Sequence, residues 1–309
     1  MKDKNLEIVT ISTHSKYYYP SLVSSCKKNK GTLTTLGMGE EWLGYNWRFK
    51  KMIEYLKNKS DDTIVCFIDG YDVIVCRDLT ELADEFIKLK NKYKCKIIVG
   101  CDDYGIIGKK LISNIFYGKC GNNEHNLNAG TYIGYAKDIK DIVTKIYELN
   151  PTDSADDQVL MVKYYNQNPG EIHIDHECKL FVALFYPLMN IDNFITIRDN
   201  KVYTNENKSM PFFIHAPGNG FLNNIITKLG YEEPDKDVKR KMIYESLKKG
   251  YHHIERIIIS YKYIILSLLI VLVIVIFYIR NNKRISKKTS KRYENVSKGI
   301  KRYKKIINI

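Results

Sequence analysis

The sequence predicts an α/β fold built on a mostly parallel sheet, and three observations carry that prediction. From residue 6 onward, short β-branched or apolar runs alternate with stretches of helical spacing, the pattern of successive strand–helix–strand units. One run, "DTIVCFID" (62–69), is apolar through its whole centre, which suits a strand covered by helices on both faces. That run also ends in acid, at the carboxyl edge where open parallel sheets hold their ligands.

Taken in order, "LEIVTIST" (6–13) reads as the first strand and "YYYPSLVSSCKKN" (17–29) as the helix that follows. "TLTTLGM" (32–38) is the second strand, and "WRFKKMIEYLKNK" (47–59) has apolar residues at helical spacing. After the strand at 62–69 come a helix, "LTELADEFIKLKNKY" (79–93), and another strand, "CKIIVGCDD" (95–103). Beyond residue 120 a polar loop leads into "LNAGTYIGYA" (127–136) and a further helix. The expected organisation is a domain over 1–234, a helical stalk over 235–257, an apolar helix over 258–279 and a basic tail over 280–309.

The apolar helix rests on "YIILSLLIVLVIVIFYI" (263–279), which carries no charge. At about 1.5 Å per residue, this run and its upstream extension match a hydrocarbon core of roughly 30 Å. We therefore expect a single-pass C-terminal membrane anchor, with Tyr261, Tyr263 and Tyr278 at the interfaces. The start, "MKDKNLEIVTISTH", has no apolar leader behind its basic residues. That places the large domain on the cytoplasmic side, although the basic tail by itself favours the opposite orientation.

Length and composition, 309 residues at 44% hydrophobic, exclude a disordered chain. The formal charge of +14 would suggest nucleic acid if it were spread over the domain. Instead, residues 280–309 hold twelve Lys/Arg against the single Glu294, so eleven of the fourteen net charges sit in the tail. No nucleic-acid partner is expected. Seven cysteines without a C-x-x-C pair suggest neither a disulfide scaffold nor a zinc ribbon, and several lie in apolar runs as buried thiols.

Asp69 and Asp72, in "FIDGYD" (67–72), stand at the end of the strand and one short turn later. Two carboxylates so placed can share a divalent cation whose remaining positions take diphosphate oxygens. The same spacing also fits an acidic turn in which Asp69 caps and Asp72 is solvated. A haloacid-dehalogenase phosphatase would need Asp-x-Asp, one residue tighter than this pair.

Other segments narrow the choice. "TLGMGEEW" (35–42), "FIDGYD", "LNAGTYIGYA", "SADDQVLMVKYY" (154–165), "IDHECKLFVAL" (174–184) and "FFIHAPGNG" (212–220) occur in that order. Together they resemble the glycosyltransferase domain of the procollagen lysyl hydroxylase and glycosyltransferase family, over residues 6 to about 231. The resemblance implies a glycosyltransferase A-type (Rossmann-like) fold, a manganese ion and a UDP-sugar donor, UDP-glucose or UDP-galactose. Asp69, Asp72 and His215 match the family's metal ligands, and a neutral imidazole suits manganese better than magnesium. Tyr71 matches a residue of the nucleotide pocket. Gly218 and Gly220 would let the backbone approach the diphosphate.

Asp156 and Asp157 in "ADDQ" are similar to the acidic run facing the sugar, as catalytic or orienting groups, and they equally suit an acidic helix start. Asn128 is expected at the sugar and Thr10 at the uracil. Trp42, Arg48 and Lys50 are candidates for nucleotide or phosphate contact, with a solvated helix face as the other reading for Arg48 and Lys50. Where the family has two glycines, this chain has "AGTY". The implied acceptor is a hydroxyl, hydroxylysine or galactosyl-hydroxylysine of a collagen-like protein, or else a different glycan. The alternative from another class is a membrane-tethered, non-catalytic sugar-nucleotide binder.

Overall fold

The central sheet has the strand order β2-β1-β3-β6-β5-β7. β1 (Leu6–Ile11) runs parallel to both β2 (Leu33–Leu36) and β3 (Ile64–Ile68). β5 (Ile97–Cys101) runs parallel to β7 (Ile172–Asp175). Between β3 and β5 lies β6 (Leu127–Tyr135), antiparallel to both, so the sheet is mostly parallel with one reversed strand. The computed structural model describes residues 5–102, 114, 116–121, 123, 125–184, 191–218, 222–231, 244, 263, 266, 267, 269–280, 283, 293 and 295–302.

Each expected strand is present, shorter than its apolar run. β2 stops at Leu36 because Gly37 turns the chain at φ 77°, a left-handed conformation that costs glycine least. β3 is buried at every residue, and its side chains alternate between two cores as a pleated strand requires. Val65 and Phe67 pack with α2 (Trp47–Leu56), α4 (Ala136–Glu148) and α5 (Asp157–Gln167). Ile64, Cys66 and Ile68 pack with α1 (Tyr19–Lys28) and α3 (Leu82–Tyr93). The helix expected from residue 79 opens with a 3₁₀ turn, Leu79–Glu81, whose N-cap Asp78 accepts from the Thr80 amide. All seven cysteines are buried and free.

A second, three-stranded sheet brings distant parts of the chain to the end of β3. β11 (Phe213–His215) pairs antiparallel with β4 (Val73–Val75) and parallel with β8 (Phe181–Ala183). β9 (Ile195–Arg198) and β10 (Lys201–Thr204) form a separate hairpin, and α6 (Asn223–Lys228) follows β11.

The chain divides into two compact units, Met1–Ser246 and Leu247–Ile309. Of the expected stalk only Tyr244 is described, and residues 258–262, 264, 265 and 268 of the expected membrane helix lie outside the described residues. Residues 269–280 are helical, with apolar side chains from Leu269 to Ile279 all exposed. Among the described residues no helix is long and apolar enough to cross a membrane.

Candidate metal and donor site

Asp69 is the first residue beyond β3 and continues the series of Val65 and Phe67, so it projects toward α2. Gly70 follows because nothing larger fits: a Cβ there would lie 2.0 Å from Ser12 Oγ and 2.8 Å from the Ile11 carbonyl. Asp72 then enters β4, and the pairing of β4 with β11 sets His215 opposite Val73. The Ala216 amide donates to the Asp72 carbonyl at 2.8 Å, closing that register.

Ligand atoms of Asp69, Asp72 and His215 consequently all lie within 4.8 Å of one another. His215 Nε2 stands 3.3 Å from Asp72 Oδ1 and 3.6 Å from Asp69 Oδ2. The ring is only 1% exposed, yet neither nitrogen has a partner of good hydrogen-bond geometry among the described residues. A buried imidazole left in that state is costly unless something else uses its lone pair. Burial by itself lowers the imidazole pKa, but the Asp72 and Asp69 carboxylates overcome this and hold it above its ordinary value. Asp69, Asp72 and His215 would hold a divalent cation in place of that proton. Two carboxylates and an imidazole are a donor set for a divalent metal ion.

The floor beneath the cluster is Gly130 of β6. Its carbonyl accepts from the Asp69 amide at 2.8 Å. A Cβ here would lie 2.4 Å from Asp69 Oδ2 and 2.6 Å from His215 Cε1, so the position keeps the cluster open by lacking a side chain. One glycine of "AGTY" is enough for that. Asn128 is buried beside it, donating to Asp102 Oδ1 at 3.0 Å and accepting from the Gly130 amide at 2.9 Å.

Arg48 joins the two acidic regions. It lies buried on α2, in line with Met52 and Leu56 along the helix's apolar stripe, which excludes the solvated-face reading for this residue. Its Nε donates to Asp157 Oδ2 at 2.9 Å, and its terminal nitrogens reach Asp157 and Asp69. Burial opposes the arginine charge, and Asp157 and Asp69 more than restore it. Burial pushes Asp157 up to about 6, against the pull of Arg48 and with the help of the Asp69 charge. Asp156, its neighbour, faces the other way and caps α5, accepting from the Gln158 and Val159 amides at 3.1 Å each.

The remaining candidates are spread more widely. Tyr71 is half-buried; its hydroxyl accepts from the Thr13 and His14 amides at 2.8 and 3.1 Å, and its ring packs with those of His14 and Tyr17. Thr10 is wholly buried, and its hydroxyl donates to the Ile68 carbonyl at 2.7 Å. Trp42 is exposed, edge-on to Tyr45 and Trp47. Lys50 points about 200° around α2 from Arg48 and pairs with Asp153 at 3.3 Å. Gly218 adopts φ 80° with open space where a Cβ would be, and Gly220 lies outside the described residues.

Three residues of this site were missed or left undecided by sequence reasoning. Arg48 had a signal, a charge standing in register with an apolar stripe. Gly130 had one too, a glycine inside a strand, which often marks close backbone approach. Asp102 had only its place after a buried strand.

Fold and site together define an α/β domain with a metal-competent acidic cluster at the carboxyl end of a central strand. The chain belongs to the PLOD GT domain family, whose model matches residues 2–239. Multifunctional procollagen lysine hydroxylase and glycosyltransferase LH3 of Homo sapiens is 27% identical over 255 residues, covering 75% of this chain and 32% of that protein. Procollagen-lysine,2-oxoglutarate 5-dioxygenase 2 of Homo sapiens is 28% identical over 193 residues, 58% of this chain and 25% of that protein. The chain therefore spans about a third or less of the length of these relatives. Among solved structures, a glycosyltransferase involved in glycosylation of the major capsid of PBCV-1 aligns with a TM-score of 0.42 at 13% identity, over 69% of this chain and 94% of that one.

Proposed function

We propose that the domain is a manganese-dependent glycosyltransferase of the A-type fold, moving glucose or galactose from a UDP-sugar to a hydroxyl acceptor. The observation that carries this reading is the convergence of Asp69, Asp72 and the buried His215 in a chain of this family. When bound, the cation supplies Lewis-acid stabilisation of the charge that develops on the departing diphosphate.

The protein's own part is to hold groups in place before the donor arrives. Arg48 keeps Asp157 ionised and aimed inward, where a carboxylate can orient sugar hydroxyls or accept the acceptor's proton. Asn128, tied at both ends of its amide, presents a fixed edge to the sugar. The rings of Tyr71, His14 and Tyr17 offer an aromatic wall beyond β1, suited to stacking a uracil.

The acceptor we propose is hydroxylysine or galactosyl-hydroxylysine in a collagen-like chain, supported by the names of the relatives above. We also propose that residues 258–279 anchor the chain in a membrane, with the large domain cytoplasmic. The exposed apolar side chains all around residues 269–279 support this, since a helix apolar on every face needs a lipid or protein covering. Protease protection in sealed vesicles tests the orientation: a protected domain overturns the cytoplasmic placement.

The deciding experiment measures UDP release from UDP-glucose and UDP-galactose with a hydroxylysine peptide, with manganese and with a chelator. Saturable turnover that disappears with chelation and in Asp69→Ala is the expected result. Saturable donor binding with no turnover on any acceptor would leave a binder, not an enzyme.

A further inference from the structure

Two strands over from β3, on the same face of the sheet, two cysteines meet. Cys101 is the last residue of β5, and Cys178 lies in the turn after β7. Both are 0% exposed, and their sulfurs are 3.9 Å apart. Neither side of this contact is loose. β5 and β7 pair in parallel with Gly100 opposite Asp175. Asp175 then accepts from the Lys179, Leu180 and Phe181 amides at 3.0, 2.7 and 3.0 Å, pinning the turn that carries Cys178. Cys178 itself sits at φ 50°, a left-handed conformation usual in tight turns and uncommon for a side-chain-bearing residue.

We infer that Cys101 and Cys178 form a disulfide when the chain folds against an excess of a disulfide oxidant such as oxidised glutathione, a condition that a lumenal placement of the domain would meet and a cytoplasmic one would not. From 3.9 Å the sulfurs need to approach by about 1.9 Å to reach bonding distance. Two thiols lose two protons and two electrons as the S–S bond forms. The oxidant's own S–S bond breaks and takes them up, leaving two molecules of reduced glutathione.

The crosslink would close a long loop containing β6, α4 and α5, and so would tie down the segment that carries Asn128, Gly130 and Asp157. It adjoins Asp102, which holds Asn128, which in turn holds the Gly130 amide beneath the metal cluster. Once the chain is folded the pair is slow to react: contact with Cys101 and then burial keep the Cys178 thiol well above its ordinary pKa. Oxidation therefore belongs to folding.

To test this, the full chain is unfolded and refolded either in a mixture of oxidised and reduced glutathione or in reductant, then denatured in the presence of N-ethylmaleimide so that every remaining thiol is blocked, and mapped by peptide mass spectrometry. The expected product of oxidative refolding is a Cys101–Cys178 crosslinked peptide pair with the other five cysteines alkylated. The oxidised wild type should also melt about 5 °C above the reduced form, a difference absent in Cys178→Ala. Full alkylation of both residues in chain that has regained its circular dichroism spectrum, or pairing of Cys101 with any other cysteine, overturns the inference.

Discussion

At the end of β3, Asp69 and Asp72 stand three residues apart and turn toward one imidazole; at the start of α5, Asp156 and Asp157 are neighbours and turn apart. The difference lies in the backbone that carries them. A strand end followed by a glycine turn folds the chain back on itself, so that both acids reach the same point with His215. A helix N-terminus instead rotates successive side chains by about 100°. One acid is thereby spent on the free amides of its own first turn and the other is delivered to Arg48. Paired acids in a sequence thus mean different things on a strand end and on a helix start.

The largest effect should come from breaking the convergent pair. Asp69→Ala or Asp72→Ala removes a ligand from the cluster, and we expect transfer to fall by about a thousandfold or more, the scale of losing a principal electrostatic contact. Manganese affinity, measured by calorimetry, should fall with it. Gly130→Ala is a subtler route to the same loss, since its Cβ would intrude on Asp69 and His215; normal metal binding in that variant would refute the packing described for the floor.

Next comes the cation that links the two regions. Arg48→Met leaves Asp157 buried without its counter-charge and should destabilise the fold by about 3–5 kcal/mol. The double variant with Asp157→Asn should recover part of that in urea unfolding. If the second substitution recovers nothing, the ion pair is not the source of the cost.

Asp175 supplies a reference acid that has backbone donors and, among the described residues, no ion-paired cation. Burial pushes it up to about 6, and its three amide donors only partly offset this. Its folded pKa lies above its unfolded one, so its contribution is full below about pH 4 and is lost as pH rises through about 6, roughly 3 kcal/mol in all. Comparing urea midpoints of wild type and Asp175→Asn at pH 4.5 and 7.5 isolates it: the gap between them should change across that window. A gap that stays constant with pH would contradict this account.

The smallest effect tests the divergent pair. Asp156→Ala removes a helix cap and should cost about 1 kcal/mol, with Asp156→Ser restoring most of it. A loss of turnover in both variants at unchanged stability would move Asp156 from the cap into the reaction.

Much of this architecture was legible in the sequence because it is local. Five strands of the central sheet, β1, β2, β3, β5 and β6, announced themselves in the sequence, whereas β7 did not, and Asp69 and Asp72 were visible as acids following one of them. The reversed direction of β6 was not visible, since a fully buried strand reads the same both ways. Nor was the role of Arg48, whose meaning depends on the facing residue of a helix more than a hundred positions later.

The sequence by itself determined the α/β class, the order of the elements as far as β6 apart from the short β4, the family and the chemical type of each candidate ligand, because periodicity and residue chemistry are carried by neighbouring positions. Only the tertiary structure decided which of those groups meet. His215 reaches Asp72 through the pairing of β4 with β11, Arg48 finds Asp157 because the Asn46 and Trp47 amides at the start of α2 bond the Ala155 and Asp153 carbonyls just before α5, and Gly130 opens the floor because β6 inserts between β3 and β5. Such contacts depend on which strand pairs with which, and in what register, and a strand's own pattern does not name its partner.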